Sequence, residues 1–420
     1  VSPPGKHLAL AQDGAAYALR SKEGMISHFL PDGKLDYLED TNGNRVTCGY
    51  DGSGRLASIT DAAGRTVMSF VSDGNGLITQ IANDPSGTGA RTVQFTYIQN
   101  PDGLYDLTAV TDAAGTVWSY GYDAFHNLTS KSDPLGNANL YYYDGQDRLA
   151  EHVDPLGSSE SFAYDPGNRT AAVTDKNGNV RGLQYDERGR AVAALDAMGN
   201  ESRLSWDADN NLVQTVDARG GTTTNIYDAM GNVLTSTDPA GNATTTTYDP
   251  VLNRPLTVTQ QNGTETLVTT NTYDSKGNLL TAQAPDGGTT TNVYDSYGQL
   301  TETRDPLSRP TTIVWDSAKG TLQSQTNPAG GTTGVQTDGF GRIQSFTDPT
   351  GESISVAMDA KDRMSSLTDG QGNQTSFGYD LAGRRTSVTT PRGTTTTQYD
   401  AVGRTLAAMS PLARALAAAC

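Results

Sequence analysis

The sequence is poor in nearly everything that builds an active site or a thick core. It has two cysteines, Cys48 and Cys420, so no disulfide framework holds it together. Its four histidines, His7, His28, His126 and His152, are scattered and show no metal-ligand spacing. Only 35% of residues are hydrophobic, against the ~45–50% usual for globular domains, which excludes a thick dry core. No stretch approaches the ~18 apolar residues of a transmembrane helix, so no membrane insertion is expected. Positive charge is also short. With 30 Lys and Arg against 47 Asp and Glu, the net charge is −17. That balance argues against nucleic acid or an anionic membrane as a partner, since both reward basic patches. No nucleophile elbow, phosphate loop or zinc motif is found. The expectation is a non-enzymatic protein with no cofactor and no catalytic or metal-ligating residues.

What the chain has instead is a beat. Tyr122, Tyr143, Tyr164 and Tyr185 stand 21 residues apart, each followed by aspartate. The beat runs on through Trp206, Tyr227, Tyr248, Tyr273, Tyr294 and Trp315, then through the altered Thr337 and Met358 to Tyr379 and Tyr399. Such self-similarity is the signature of a repeat architecture and overrules length as a guide to domain count. Each period carries two turns. One follows the aromatic, as in Asp228-Ala229-Met230-Gly231; the other lies half a period later, as in Asp238-Pro239-Ala240-Gly241. Aspartate at the first corner bonds backbone N–H groups ahead of it, proline presets φ at the second, and glycine accepts the positive φ that follows. The roughly six residues between turns, rich in Thr, Val, Leu and Tyr, suit β-strands.

Each repeat is therefore one β-hairpin, and the fold class is all-β, a long antiparallel meander. Hairpins are expected to begin near Ala15, with longer loops at Gln99 to Tyr105 and around Gln260 to Thr266. The alternation of side chains puts Trp118, Tyr120 and Tyr122 on one face with Thr244, Thr246 and Asn292, and Leu140, Tyr142 and Ile226 on the other. Neither face is uniformly apolar, which fits a single-layer sheet wetted on both sides. On the order of 35 to 40 strands at ~4.8 Å spacing would make a ribbon roughly 180 Å long, and accumulated twist should coil it. The tyrosines, about two strands apart, are expected to pack over the strand between them as a spine.

The abundant aspartates fall at turn corners and need no catalytic explanation. Two stretches, Asp175 to Asn179 and Asp207 to Asn211, have the look of calcium loops but lack the glycine and closing glutamate at the required spacing. Exposed aromatics with polar neighbours suit sugars, which makes Trp118, Tyr141 and Tyr142 candidate carbohydrate contacts; the same residues also serve simply as the spine of the sheet.

The repeat unit, Tyr-Asp-x-x-Gly-Arg-Leu, then Thr-Asp-x-x-Gly, then Tyr-Asp, resembles the YD repeat of Rhs-family proteins. It is plainest in Tyr50 to Leu56 with Thr60 to Gly64, and in Tyr379 to Arg384. It is also similar to repeats of insecticidal Tc toxin components and of teneurins, and it covers roughly residues 40 to 405. The resemblance implies a sheet spiralled into a hollow YD-shell, in bacterial members a cocoon around a C-terminal toxin that is cleaved and delivered, in teneurin-like members an adhesive module. The resemblance implies as partner an encapsulated toxin polypeptide or the remainder of the parent chain, and a location secreted or at the bacterial surface; the exposed aromatics add a cell-surface carbohydrate as an alternative partner. The chain departs from the toxin-bearing pattern: Asp133-Pro134-Leu135-Gly136 and Asp348-Pro349-Thr350-Gly351 are ordinary repeat turns, so neither self-cleavage nor toxin activity is carried over. Complete shells use longer chains, so an incomplete, open shell is expected. The start, Val1 to Lys6, has no initiator methionine or signal-peptide pattern and reads as internal.

The organisation expected is degenerate hairpins over 1–45, the repeat array over 46–405, and an Ala-rich, non-repeat tail over 406–420, either a short helix or without native structure. Three functions fit: a shell wall for toxin delivery, a surface carbohydrate-binding or adhesion module, or a truncated array with no autonomous role.

Overall fold

The computed structural model describes residues 7–83 and 90–410. They form one sheet of 38 strands, from β1 (Ala9–Asp13) to β38 (Thr405–Met409). Each strand pairs antiparallel with the next in sequence, for example Leu140 opposite Val153 and Glu151 opposite Ser161. The meander begins earlier than expected, since β1 already pairs with β2 (Ala16–Arg20). At the other end Thr405 lies opposite Tyr399, so the first residues of the Ala-rich segment are strand and not helix. Residues 411–420, with Cys420, fall outside the described residues. Neither of the two expected long loops is longer than an ordinary turn. Their extra residues lengthen the strands: β9 (Arg91–Gln99) with β10 (Tyr105–Thr111), and β24 (Pro255–Asn262) with β25 (Glu265–Tyr273), close in short turns. Extending an antiparallel ladder satisfies backbone groups that a loop would leave to water.

The sheet has no second layer among the described residues. Among the described residues only Ala82, Ala193, Asp106 and Asn232 are buried, and no large side chain is fully enclosed. Stability must come from the ladder, the turns and contacts between neighbouring hairpins, as in other repeat proteins. Residues directly opposite one another share a face. Register carries Tyr120 to Lys131, Asn139, and thence to Tyr141 and His152, which makes one face aromatic. The other face is a lattice of hydroxyls: Thr224 opposite Thr237, Thr235 opposite Thr245, Thr247 opposite Thr257. Several of these hydroxyls bridge, at 2.7 Å for Thr247–Thr257 and for Thr272–Thr281. Leu140, Tyr142 and Ile226 do lie on this hydroxyl face and are exposed.

The tyrosine spine is a hydrogen-bonded one. Tyr248 reaches over β22 (Val233–Thr237) and its hydroxyl donates to the Val233 carbonyl at 3.1 Å. Tyr143, Tyr227, Tyr294 and Tyr379 do the same to Leu128, Leu212, Leu279 and Met364. Where the beat has tryptophan, the indole N–H takes over: Trp206 to Ala191 at 2.7 Å and Trp315 to Leu300 at 2.8 Å. Both side chains offer an apolar body and a donor at the tip, which is why they interchange here. Tyr227→Phe should accordingly cost ~1 kcal/mol, while Tyr227→Trp should be nearly neutral. Native-state hydrogen exchange over residues 212–237 measures both, and equal losses for the two variants would refute the donor role.

Most hairpins that turn after the aromatic carry a register shift at that residue, as at Tyr122, Tyr143, Tyr227, Tyr294 and Tyr379. The hairpins that turn half a period later mostly keep strict register. A bulge bends its strand and adds twist. With most bulges toward the same rim, the ribbon curls into an open spiral.

Candidate functional site

Two rims bound the ribbon: a tyrosine rim, formed by the turns after the aromatics, and an opposite rim. Both use one turn design. The aspartate Oδ1 accepts the N–H of the second and fourth residues after it, and the third residue after it has positive φ. In Asp338–Arg342 these acceptor bonds, from Phe340 and Arg342, measure 2.9 and 3.0 Å, and Gly341 has φ 82°. The Oδ2 atom accepts the side chain of the fourth residue, arginine (Arg342 Nε, 2.6 Å) or asparagine (Asn232 Nδ2 to Asp228, 2.9 Å). Burial raises the Asp338 pKa, but Arg342 and the two amides outweigh it and hold the carboxyl below the usual range.

Where that fourth residue is arginine, it also ties its hairpin to the next. Arg190 donates to the Asp207 carbonyl at 2.8 Å and Arg384 to the Asp400 carbonyl at 2.8 Å. Its guanidinium lies over the next aromatic, 5.8 Å from the Trp206 centroid and 5.1 Å from Tyr399. The recurring spacing within the unit, aromatic, aspartate, glycine, arginine, is thus a lateral fastening.

The rims meet where the spiral passes over itself. Lys22 donates to the Met230 carbonyl and to Asn232 Oδ1, both at 3.4 Å. Asn278 donates to Asn42 at 2.9 Å, Asn44 to the Tyr297 carbonyl at 2.8 Å, and Arg65 to the Lys319 carbonyl at 3.3 Å. Further along, Arg91 pairs with Asp362 and lies 3.9 Å over the Phe340 ring, and Lys361 pairs with Asp112 at 2.7 Å. Each contact joins the opposite rim of the first coil to the tyrosine rim of the second. Partners lie 208 to 271 residues apart along the chain, so the described chain makes more than one turn and fewer than two. Burial raises Asp112, but Lys361, Thr116 and backbone amides bring it down to about 2.

The candidate sugar contacts do not form one platform. Trp118 and Tyr141 share the aromatic face with β12 (Leu128–Ser132) between them, while Tyr142 points from the hydroxyl face and is 50% exposed. Lys131 Nζ covers Trp118 at 5.4 Å, and Tyr141 stacks on His152 at 5.1 Å. In the calcium-like stretches the carboxylates serve their own turns: Asp175 accepts from Asn177 and Asn179, and Asp207 from Asp209 and Asn211. Among the described residues no group of three His, Cys, Asp or Glu is placed to hold a metal. The sequence reading missed the seam, and it missed His126, which sits between Asp102 and Asp106. The only local sign of the latter is a histidine where the turn expects glycine.

A family model described as RHS Repeat matches residues 102–138, 143–180, 185–222, 273–310 and 359–395. No curated protein sequence matches the chain. Among solved structures, TcdB2-TccC3 without its hypervariable C-terminal region shares the fold, with TM-score 0.59 and 13% identity over 94% of this chain and 30% of that one. TcdB2-TccC3-TEV (TM-score 0.56, 13% identity, 94% and 30%) and TcdB2-TccC3-Cdc42 (0.55, 14%, 93% and 30%) are similar to the same extent. At such identities the likeness is one of fold, and this chain spans less than a third of the length of each.

Proposed function

The chain belongs to the Rhs-repeat family of YD-shell proteins, and from that premise we propose that it is a wall segment of a shell that encapsulates or presents a toxin polypeptide for secretion and delivery. The observation that carries this reading is the single-layer sheet, coiled on itself with almost nothing buried. A globular binding domain spends its apolar side chains on a core, whereas this chain spends them on spanning strands. A coiled wall with two wet faces has space as its product. The partner in this reading is a polypeptide, the passenger, lying against one face of the wall, and the compartment is outside the cell or at its surface.

Solution scattering of residues 1–420 tests the wall, with a curved, β-rich particle around solvent as the expected result. An extended, weakly ordered chain would count against it. Fusing a short tagged passenger after residue 420 tests encapsulation separately. Protease should then cut the tag more slowly than in the free passenger; equal rates would remove encapsulation while leaving the wall.

A further inference from the structure

One hairpin overhangs the tyrosine rim. In ordinary repeats the turn begins directly after the aromatic, but after Tyr97 the strand runs on through Ile98 and Gln99, opposite Asp106 and Tyr105. This tip exposes Ile98 (54%) and Leu104 (58%). The turn of the next repeat, Asp123–Asn127, lies beside it. Its fourth position, glycine in Asp133–Asn137 and Asp228–Asn232, is His126, held at φ 65°. The imidazole reaches out of its turn to the overhang: Nε2 is 2.7 Å from Asp102 Oδ2 and Nδ1 is 2.8 Å from Asp106 Oδ1. Asp106 is 7% exposed, and its other oxygen accepts Asn100 Nδ2 at 2.6 Å.

We propose that His126 is a pH-sensitive latch that fastens the overhanging hairpin to the tyrosine rim. The charged groups facing it are Asp102 from the tip, Asp106 from β10 and Asp123 from its own turn, all carboxylates; Tyr122 adds a neutral phenol beside Asp106. A protonated imidazole donates from both nitrogens and serves both carboxylates. A neutral one donates from a single nitrogen, so one carboxylate loses the imidazole; Asp106 would keep Asn100 but lose a second donor, which is costly for a buried carboxylate. The hydrogen bonds to Asp102 and Asp106 hold His126 above the usual histidine range, and the bond from His126, with the Leu104 amide, holds Asp102 below the usual carboxylate range. The histidine's contribution is complete below its ordinary value and disappears as pH rises through its raised one. The contribution of Asp102 is complete above its ordinary value and disappears as pH falls through its lowered one. The latch is closed between those limits and opens on the alkaline side.

Hydrogen exchange of the full chain, corrected for the intrinsic pH dependence, reads this directly over residues 98–106. Wild-type protection should fall about tenfold between pH 6 and pH 9. His126→Gly restores the residue that a positive φ favours, so its turn should fold. That variant should show low protection at pH 6 and no fall toward pH 9. A flat wild-type profile, or a variant that keeps wild-type protection and its pH response, would overturn the latch.

Discussion

Replacing Lys361 and Arg91 together by methionine is expected to lift the second coil off the first while leaving every hairpin folded. Among the described residues the seam has no strand ladder; single side chains reach across it, and Lys361 and Arg91 make the two ion pairs found there. Lys361 is the better shielded, with a side chain 16% exposed against 28% for Asp112. Lys361 shares the drop of Asp112 from 3.8 to about 2 with Thr116 and the backbone amides of its turn, and with screening its own part is ~1 kcal/mol. Losing Lys361 also leaves the half-buried carboxylate with Thr116 and two amides but without its cation, which adds to the cost. Arg91 contributes its pair with Asp362 and its contact with the Phe340 ring, worth ~1 kcal/mol more. Scattering should show a larger radius of gyration for the double variant, with unchanged β-sheet circular dichroism. An unchanged radius would mean that the remaining amide and lysine contacts, from Lys22 to Arg65, suffice. Acid should loosen the same seam. Asp112 has a lowered value, so its contribution is complete above about 3.8 and is lost as pH falls through about 2. Wild type should therefore expand in that window before its sheet melts.

The hairpin meander was legible because its signals are local. Asp-x-x-Gly fixes a turn within four residues, and six residues between turns leave room only for a strand. The tyrosine spine was legible for a related reason, as the period of 21 residues places each ring over the intervening strand. The two insertions were misjudged, because extra residues such as Ile98 and Gln99 lengthen a ladder as readily as a loop and composition does not distinguish the two outcomes. The seam was illegible in principle. Whether Lys361 meets Asp112 depends on how much each bulge curls the ribbon, summed over some twenty strands, and small local differences move the contact by a whole turn. The His126 cluster lay between these cases. Its histidine is visible as a misfit in the turn, but its carboxylates come from a hairpin whose overhang only the register reveals.

The acidity of the chain is largely turn chemistry, and this leads to the second large effect. Asp338→Ala is expected to destabilise β31 (Thr332–Thr337) and β32 (Ile343–Thr347) by ~2–4 kcal/mol, because it strips from one carboxylate two amide bonds at Oδ1 and the arginine ion pair at Oδ2. Asp338 is only 13% exposed and Arg342 26%, so water replaces those bonds poorly. Asp338→Asn keeps an oxygen for the amides but loses the charge, and about half the loss should return. The lowered carboxyl sets the pH dependence: the contribution is complete above the ordinary aspartate value and disappears as pH falls through the lowered one. At Asp175, bonded to the exposed Asn179 rather than to an arginine, alanine should cost less. Because hairpins contact mainly their neighbours, the damage should stay local, with faster hydrogen exchange from residue 332 to 347 and little change beyond the adjoining repeats. A uniform loss of protection across the array would instead make the wall one cooperative unit, and the turn aspartates would then set the stability of the whole spiral and not of single repeats.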